Sequence, residues 1–510
     1  SRQFNNDLTA SHVAQLASSL GLTSTGGFRY TSDRSEVVRA AASDLQPGQD
    51  LVSGATQSAS QSLTELHTMG FFLEERANIN DRLYLTGGVN WEASSAFGPD
   101  ERWQAFPRVS ASYVLGEEPF FKEVLGDKVT SLRLRAAYGE TGGQPPGLYS
   151  RFANYVNVPF SGKPGLVSSV LAGNDSLLPE REREYEFGFD AGFAQDRAQV
   201  EFTYYDRHVK DLVLSVPLPP SSGFSSQFQN IGELSNKGIE IALNTVNVAS
   251  PSFSWRSRLS FARNRGKVEH LVTSADTLLN GYLNTVIEGQ PVGVFYGGIY
   301  ARNEDGSLKF KDSPSFKYNG RDTTVSLPYR ARDVLPGGAE VNASRIIGNP
   351  DPDFVATLGN TFEVGKRFQV SVLFDGRFGN DVANFSRRIS QLFGADKSVE
   401  GEISRDTTIR TYSLNPNGRS LIYEEYIEDG TFVKLREIAL SLDFDQPWVQ
   451  RFGADRMSVR LAGRNLYTWT NYSGLDPEIN MFSASTVSRG VDFATTPLPR
   501  QFTLSVSLNF

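Results

Sequence analysis

The residues best suited to touch a ligand are aromatic. Tyr149, Phe152 and Tyr155 lie in one Gly/Pro-containing stretch, and Phe224 and Phe228 in another. Flat aromatic faces stack on sugar rings or peptide side chains, and pockets are generally apolar with a few polar anchors. Covalent chemistry has less to work with. The carboxylate pairs Glu74–Glu75 and Glu182–Glu184 have the residue type that hydrolyses glycosidic bonds, but no motif surrounds them, and solvated charge is their plainer role. There is no G-x-S-x-G elbow and no G-x-x-x-x-G-K-[S/T] phosphate loop. The absence of Cys excludes disulfides, thiolate nucleophiles and thiolate metal sites. His12, His67, His208 and His270 are scattered without ligand spacing. The expectation is a protein with no catalytic, metal or cofactor site, and not an enzyme.

Something must position those aromatics, and the chain end shows what. In "RQFTLSVSLNF" (500–510), Phe502, Leu504, Val506, Leu508 and Phe510 share one face, while Thr503, Ser505, Ser507 and Asn509 share the other. A period of two is the strand period. Chain ends usually fray into water, so an apolar face kept to the last residue is expected to meet lipid. The same alternation recurs. Leu83, Leu85, Val89 and Trp91 alternate with Tyr84, Thr86, Asn90 and Glu92; Phe187 and Phe189 with Glu186 and Asp190; Phe253, Trp255, Leu259 and Phe261 with Arg256, Arg258 and Ser260. About fourteen such segments of roughly ten residues are expected, the length a tilted strand needs to cross a bilayer.

Very short links at Ala194–Arg197 and Gly365–Lys366 contrast with long polar ones at about 141–181, 211–234, 269–350, 380–430 and 470–498. Short turns on one side and long loops on the other are the asymmetry of an outer-membrane barrel. No apolar run is long enough for a transmembrane helix. Composition agrees with a sheet that is greasy on one face and wet on the other: 39% hydrophobic residues, yet 35 Phe and 19 Tyr. A net charge of -8 argues against a nucleic-acid partner. Residues 1–65 read as a loop or short helical stretch ("SHVAQLASSLGL") with one partial strand near Phe28–Tyr30, leading into a barrel portion over 66–510.

One stretch is more specific. "VNWEASSAFGPDERWQAFPRVSASYVL" (89–115) followed by "SLRLRAAYGETGGQ" (131–144) resembles the SusC/RagA-type TonB-linked outer-membrane transporters. Ser94, Ser95, Phe97, Gly98, Arg102, Trp103, Phe106 and Pro107 match that family's Ser-Ser-x-Phe-Gly and Arg-Trp-x-x-Phe-Pro steps. Leu134, Arg135, Tyr138, Gly139, Thr141 and Gly142 match its Tyr-Gly-x-Thr-Gly strand end, with Ala137 and Gly143 departing from it. "NIGELSNKGIEIAL" (230–243), "EGQPVGVFYGGIY" (288–300), "IGNPDPDF" (347–354) and "RLAGRNLYTWTNYSGLDPE" (460–478) follow in the family's order. The loop "ARNEDGSLKFKDSPSFKYNGRD" lacks the family's regular Asp-rich pattern, so no ion site is carried over to it.

The resemblance implies an all-β transmembrane antiparallel barrel in the bacterial outer membrane, with these strands forming the C-terminal part of a barrel of about 22 strands. It implies TonB-energised import of an oligosaccharide or oligopeptide. A SusD-like surface lipoprotein would act outside, and TonB–ExbB–ExbD would act through an N-terminal plug and TonB box that this sequence does not include. The alternative is a plugless barrel serving as the scaffold of a surface assembly. Outer-membrane lipid and a glycan or peptide ligand complete the expected partners.

Overall fold

The computed structural model describes residues 1–509 apart from 46, 49–51, 53–55, 127, 153, 272–276, 279–281, 313–315, 319–320, 324–325, 366, 394, 397–420, 446, 452, 484 and 486–487. Phe510 and Lys366 therefore lie outside the described residues.

Fifteen strands pair in chain order as one antiparallel meander. They are β1 (Arg2–Ala17), β2 (Leu20–Ser43), β3 (Thr56–Ile79), β4 (Leu83–Ser94), β5 (Trp103–Val114), β6 (Val129–Gly143), β7 (Glu180–Phe193), β8 (Ala198–Pro217), β9 (Ser226–Ala249), β10 (Phe253–Leu271), β11 (Phe354–Val364), β12 (Phe368–Phe378), β13 (Phe432–Phe444), β14 (Arg456–Thr470) and β15 (Gln501–Asn509). β1 and β15 are its edges, and a two-residue strand at Leu171–Ala172 adds parallel to β9. Links alternate strictly between two ends of the wall. Short ones such as 194–197, 250–252 and 365–367 gather at one end, and 144–179, 272–353, 379–431 and 471–500 at the other.

Cross-strand register sorts the side chains. Leu504 faces Leu461, Leu461 faces Leu440, and Leu440 faces Val370, so one apolar surface runs from strand to strand. It is exposed in this chain: Phe502 is 75% accessible and Leu504 68%. Aromatic rings border it at both ends. Phe71, Trp91 and Trp103 cluster near the loops, as do Tyr467 and Trp469, while Trp255–Phe362 and Phe444–Trp448 lie near the turns. Two aromatic belts flanking an apolar band mark the two interfaces of a bilayer. The opposite, inward surface carries ion pairs.

Two expectations require correction. The stretch "SHVAQLASSLGL" is no helix, since apart from the turn at Ser18–Ser19 it lies in β1 and the start of β2, paired from Arg2–Arg34 to Ala17–Leu20 with one register shift between Gln15 and Ala17. The small residues Ala10, Ala14 and Gly26 on the outward face hide the strand period there. Residues 211–234 are likewise mostly strand, with only 218–225 as loop. β8 and β9 run 20 and 24 residues, well beyond the ~10 needed to cross a bilayer. Above the membrane both faces are wet, and alternation disappears although pairing continues.

Described parts of three long loops, 272–353, 379–431 and 471–500, pack together. Residues 284–286, 294–298 and 344–348 pair together, as do 381–384, 427–429 and 491–492. Leu283, Phe295, Ala383, Phe385 and Val491 then form one buried cluster drawn from all three loops.

Candidate ligand cavity on the inward wall

Near the loop end, inward side chains of β2 to β6 surround a cavity of about 530 Å³. Its walls carry Arg29, Phe72, Glu92, Gln104, Phe106 and Arg108, and the β4–β5 loop supplies Phe97 and Arg102. Two glycines shape it. A Cβ at Gly142 would come within 2.4 Å of the Phe106 ring, and one at Gly27 within 2.4 Å of the Phe72 ring. Both aromatics lie flat against bare backbone because no side chain occupies the pleat below them. This leaves the rings lining the cavity wall.

The polar groups are mostly held in place. The Arg108 guanidinium donates to Asn90 Oδ1 at 2.8 Å and to Glu74 Oε2 at 3.0 Å. The Arg29 guanidinium donates to Asp7 at 2.6 Å, and Ser94 Oγ to Gln144 Oε1 at 2.9 Å. Arg102 Nε is buried without a partner among the described residues. The arrangement offers apolar ring faces beside anchored donors and acceptors, which suits binding. It contains no nucleophile–base pair.

The inward wall below continues as ion pairs. Glu182 and Glu184 both meet Arg207, at 3.2 and 2.5 Å, and Asp190 meets Arg133 and Arg135. Glu74 and Glu75 point to opposite faces: Glu74 inward to Arg108, Glu75 outward, accepting from Ser24 Oγ at 2.8 Å. On the far side of the wall, the 471–500 loop is pinned. Lys434 Nζ lies 2.7 Å from Asp476 and 2.8 Å from Glu478, and Arg436 bridges Glu478 and Asp375. Burial alone would push the Glu478 carboxyl up, but hydrogen bonds from Arg436 and Lys434 outweigh it and hold it at about 2.

The structure unites motif residues that are distant in sequence: Phe97, Arg102, Phe106 and Gly142 line this one cavity. It does not bring the predicted contact aromatics into it. Tyr149 packs on Phe152 with ring centroids 6.4 Å apart, and its hydroxyl accepts from the Glu65 backbone N–H at 2.9 Å. Arg151 covers the Phe152 ring at 3.9 Å. Tyr155 is exposed on a hairpin formed by Tyr155–Phe160 and Lys163–Ser168. Phe224 is half-buried in the 218–225 loop, and Phe228 belongs to β9 rather than to a loop. Sequence reasoning read Phe97, Phe106 and Arg102 only as motif members. For Phe106, inward parity within β5 was the available signal; Phe97 and Arg102 lie in the preceding loop, where no strand period applies.

The paired strands, the aromatic belts and the ion-paired inner face describe a barrel wall, and a family model described as TonB dependent receptor-like, beta-barrel matches residues 1–329. The chain belongs to this TonB-dependent receptor β-barrel family. Members are bacterial outer-membrane receptors and transporters, and the aromatic belts flanking an apolar band fit that location. TonB-dependent receptor P3 of Formosa agariphila is 26% identical over 510 residues, covering 95% of this chain and 50% of the relative. TonB-dependent receptor SusC of Bacteroides thetaiotaomicron is 26% identical, covering 87% of this chain and 44% of the relative. A solved structure described as the RagAB peptide transporter superposes over 100% of this chain and 55% of its own, with TM-score 0.77 at 21% identity. That likeness establishes the fold. The chain spans about half the length of the curated relatives it matches.

Proposed function

We propose that this TonB-dependent receptor barrel imports an oligosaccharide or oligopeptide across the outer membrane. Its relatives include SusC and, in fold, a RagAB peptide transporter. By analogy, energy reaches the barrel through TonB by way of a part of the protein outside this sequence, and a SusD-like lipoprotein covers the loop end. Phe502, Leu504, Val506 and Leu508 face lipid on this reading. Tyr149, Phe152, Tyr155, Phe224 and Phe228 would make outer contacts with cargo before it reaches the wall cavity. The observation that carries the proposal is the loop-side cavity of β2 to β6, where Phe72, Phe97 and Phe106 stand beside anchored arginines.

The test uses the full-length protein in its own outer membrane. Arg108→Ala removes the group that organises Asn90 and Glu74. Uptake of the cognate oligomer should fall at least about tenfold, equivalent to about 1.4 kcal/mol of binding, with unchanged surface abundance. Uptake that is indifferent to TonB deletion would sink the import reading, and uptake that is indifferent to Arg108→Ala would remove this cavity from it.

A further inference from the structure

The outward face of β7 to β10 changes character where the wall leaves the bilayer. On β10, Trp255, Leu259 and Phe261 point outward, and residues 253–262 supply the ~10 residues that a tilted strand needs to cross. The next three outward positions are Arg263, Arg265 and Lys267. Register extends this comb sideways. Lys237 of β9 stands opposite Arg265, and Lys267 begins a row that runs through Ser235 and His208 to Arg183 of β7. Just below lies the loop-side aromatic belt, with the Tyr138 and Tyr185 rings 4.8 Å apart and Phe261 stacked on Phe354 at 5.5 Å.

Three of these cations have carboxylate partners. Lys237 lies 2.9 Å from Asp206, Arg265 2.6 Å from Asp353 and Lys267 2.6 Å from Glu269. Arg183 and Arg263 have no hydrogen-bond or ion-pair partner among the described residues. Glu140, opposite Arg183 in register, accepts from Arg181 at 2.7 Å instead. Arg263 stands lowest of the comb. It is exposed, and its row is completed by Phe187, Tyr204 and Ile239, so its guanidinium leaves the wall at the upper edge of the apolar band. An ionised group beside hydrocarbon is costly unless it is paired. A long side chain escapes that cost by carrying its head to the interface, and what it meets there is a lipid headgroup.

We propose that this strip binds the phosphate of an outer-leaflet glycolipid, with Arg263 at its centre and Arg183, Arg265 and Lys267 beside it. The long loops mark the outer face of the barrel, and the lipid of that leaflet in a bacterial outer membrane is built on a phosphorylated sugar. A guanidinium grips phosphate through two parallel charge-assisted hydrogen bonds. The local charge favours an anion. Arg183, Lys237, Arg263, Arg265 and Lys267 outnumber Asp206, Glu269 and Asp353, while Arg181 and Lys210 are balanced by Glu140 and Glu233. That excess stands on a chain whose net charge is -8, so it is a feature of this face and not of the composition. The aromatic belt directly beneath receives the upper part of the acyl chains. The site faces away from the lumen, uses no residue of the β2–β6 cavity and is independent of what the barrel imports.

The experiment titrates full-length protein in detergent with diphosphoryl lipid A, the same lipid after enzymatic removal of its phosphates, phosphatidylglycerol and inorganic phosphate. Native mass spectrometry reads the bound fraction of each, and heat-modifiable migration checks that every variant is folded. Lipid A should bind at least about tenfold more tightly than the other three probes, and Arg263→Gln should weaken it at least about tenfold. Arg263→Lys keeps the charge but loses the fork, and should fall between the two. Arg34→Gln is the control: that arginine is as exposed as Arg265 but already paired with Glu65 at 2.8 Å, and its loss should change nothing. Equal binding of the dephosphorylated lipid would overturn the phosphate site. Equal binding of phosphatidylglycerol or inorganic phosphate would overturn the glycolipid as its source. Lipid A binding unchanged in Arg263→Gln, or weakened equally in Arg34→Gln, would overturn the assignment to this strip.

Discussion

Lys434→Met probes how the 471–500 loop is held against the wall. The Lys434 side chain is 3% exposed and touches Asp476 and Glu478, themselves 9% and 18% exposed. Removing one partner of a buried pair costs about 3–5 kcal/mol, because the other charge stays buried. The lower end applies here. Glu478 keeps Arg436 at 2.7 Å, and Asp476 Oδ1 still accepts from the Glu478 backbone N–H at 3.0 Å. A loss of about 3 kcal/mol raises the population of a detached loop by about 100-fold. Hydrogen exchange on the full-length protein reads that change directly. The amide of Ala383, whose bond to the Gly490 carbonyl joins the 379–431 loop to this one, should exchange about 100-fold faster, while those of β7 and β8 stay unchanged. Lys434→Met combined with Asp476→Leu should recover much of the protection, since an apolar pair of similar volume replaces the stranded charge. A change of less than about threefold in the single variant, or about 0.6 kcal/mol, would refute the latch.

Further outcomes follow from the same geometry. Glu478 is held at about 2, below its ordinary carboxylate value, so its contribution to loop attachment is complete above about pH 4.5 and lost as pH falls through about 2; the loop's protection factors, corrected for the pH dependence of intrinsic amide exchange, should be flat from neutral pH to about 5 and fall only below. Gly142→Val drives a side chain into the Phe106 ring and should close the β2–β6 cavity, weakening ligand binding at least about tenfold in calorimetry. Leu504→Arg places a charge on the apolar band at a cost of about 2–4 kcal/mol, whereas Thr503→Lys on the inward face opposite Ala462 should be tolerated; heat-modifiable migration of membrane fractions distinguishes the two.

The outer surface of this protein was legible in its sequence. Phe502 to Leu508, Trp255 to Phe261 and Phe187 to Phe189 alternate because a strand crossing a bilayer meets lipid on one side only, and that constraint acts residue by residue. The motif order from Ser94 to Glu478 carried the family in the same local way. Where the constraint lapsed, so did the signal. β1 presents Ala10, His12 and Ala14 outward, and the upper parts of β8 and β9 have water on both faces, so only pairing with a neighbour reveals them as strands. The cavity and the packed loops were beyond any local window. Phe97, Phe106 and Gly142 meet because β4, β5 and β6 are adjacent, and Asp351, Asn380, Asp476 and Arg489 meet because three long loops share the Leu283–Phe295–Phe385–Val491 core. Side-chain parity is a property of the chain, but which inward residues become neighbours depends on register and loop packing across hundreds of residues, and only the tertiary structure decided that.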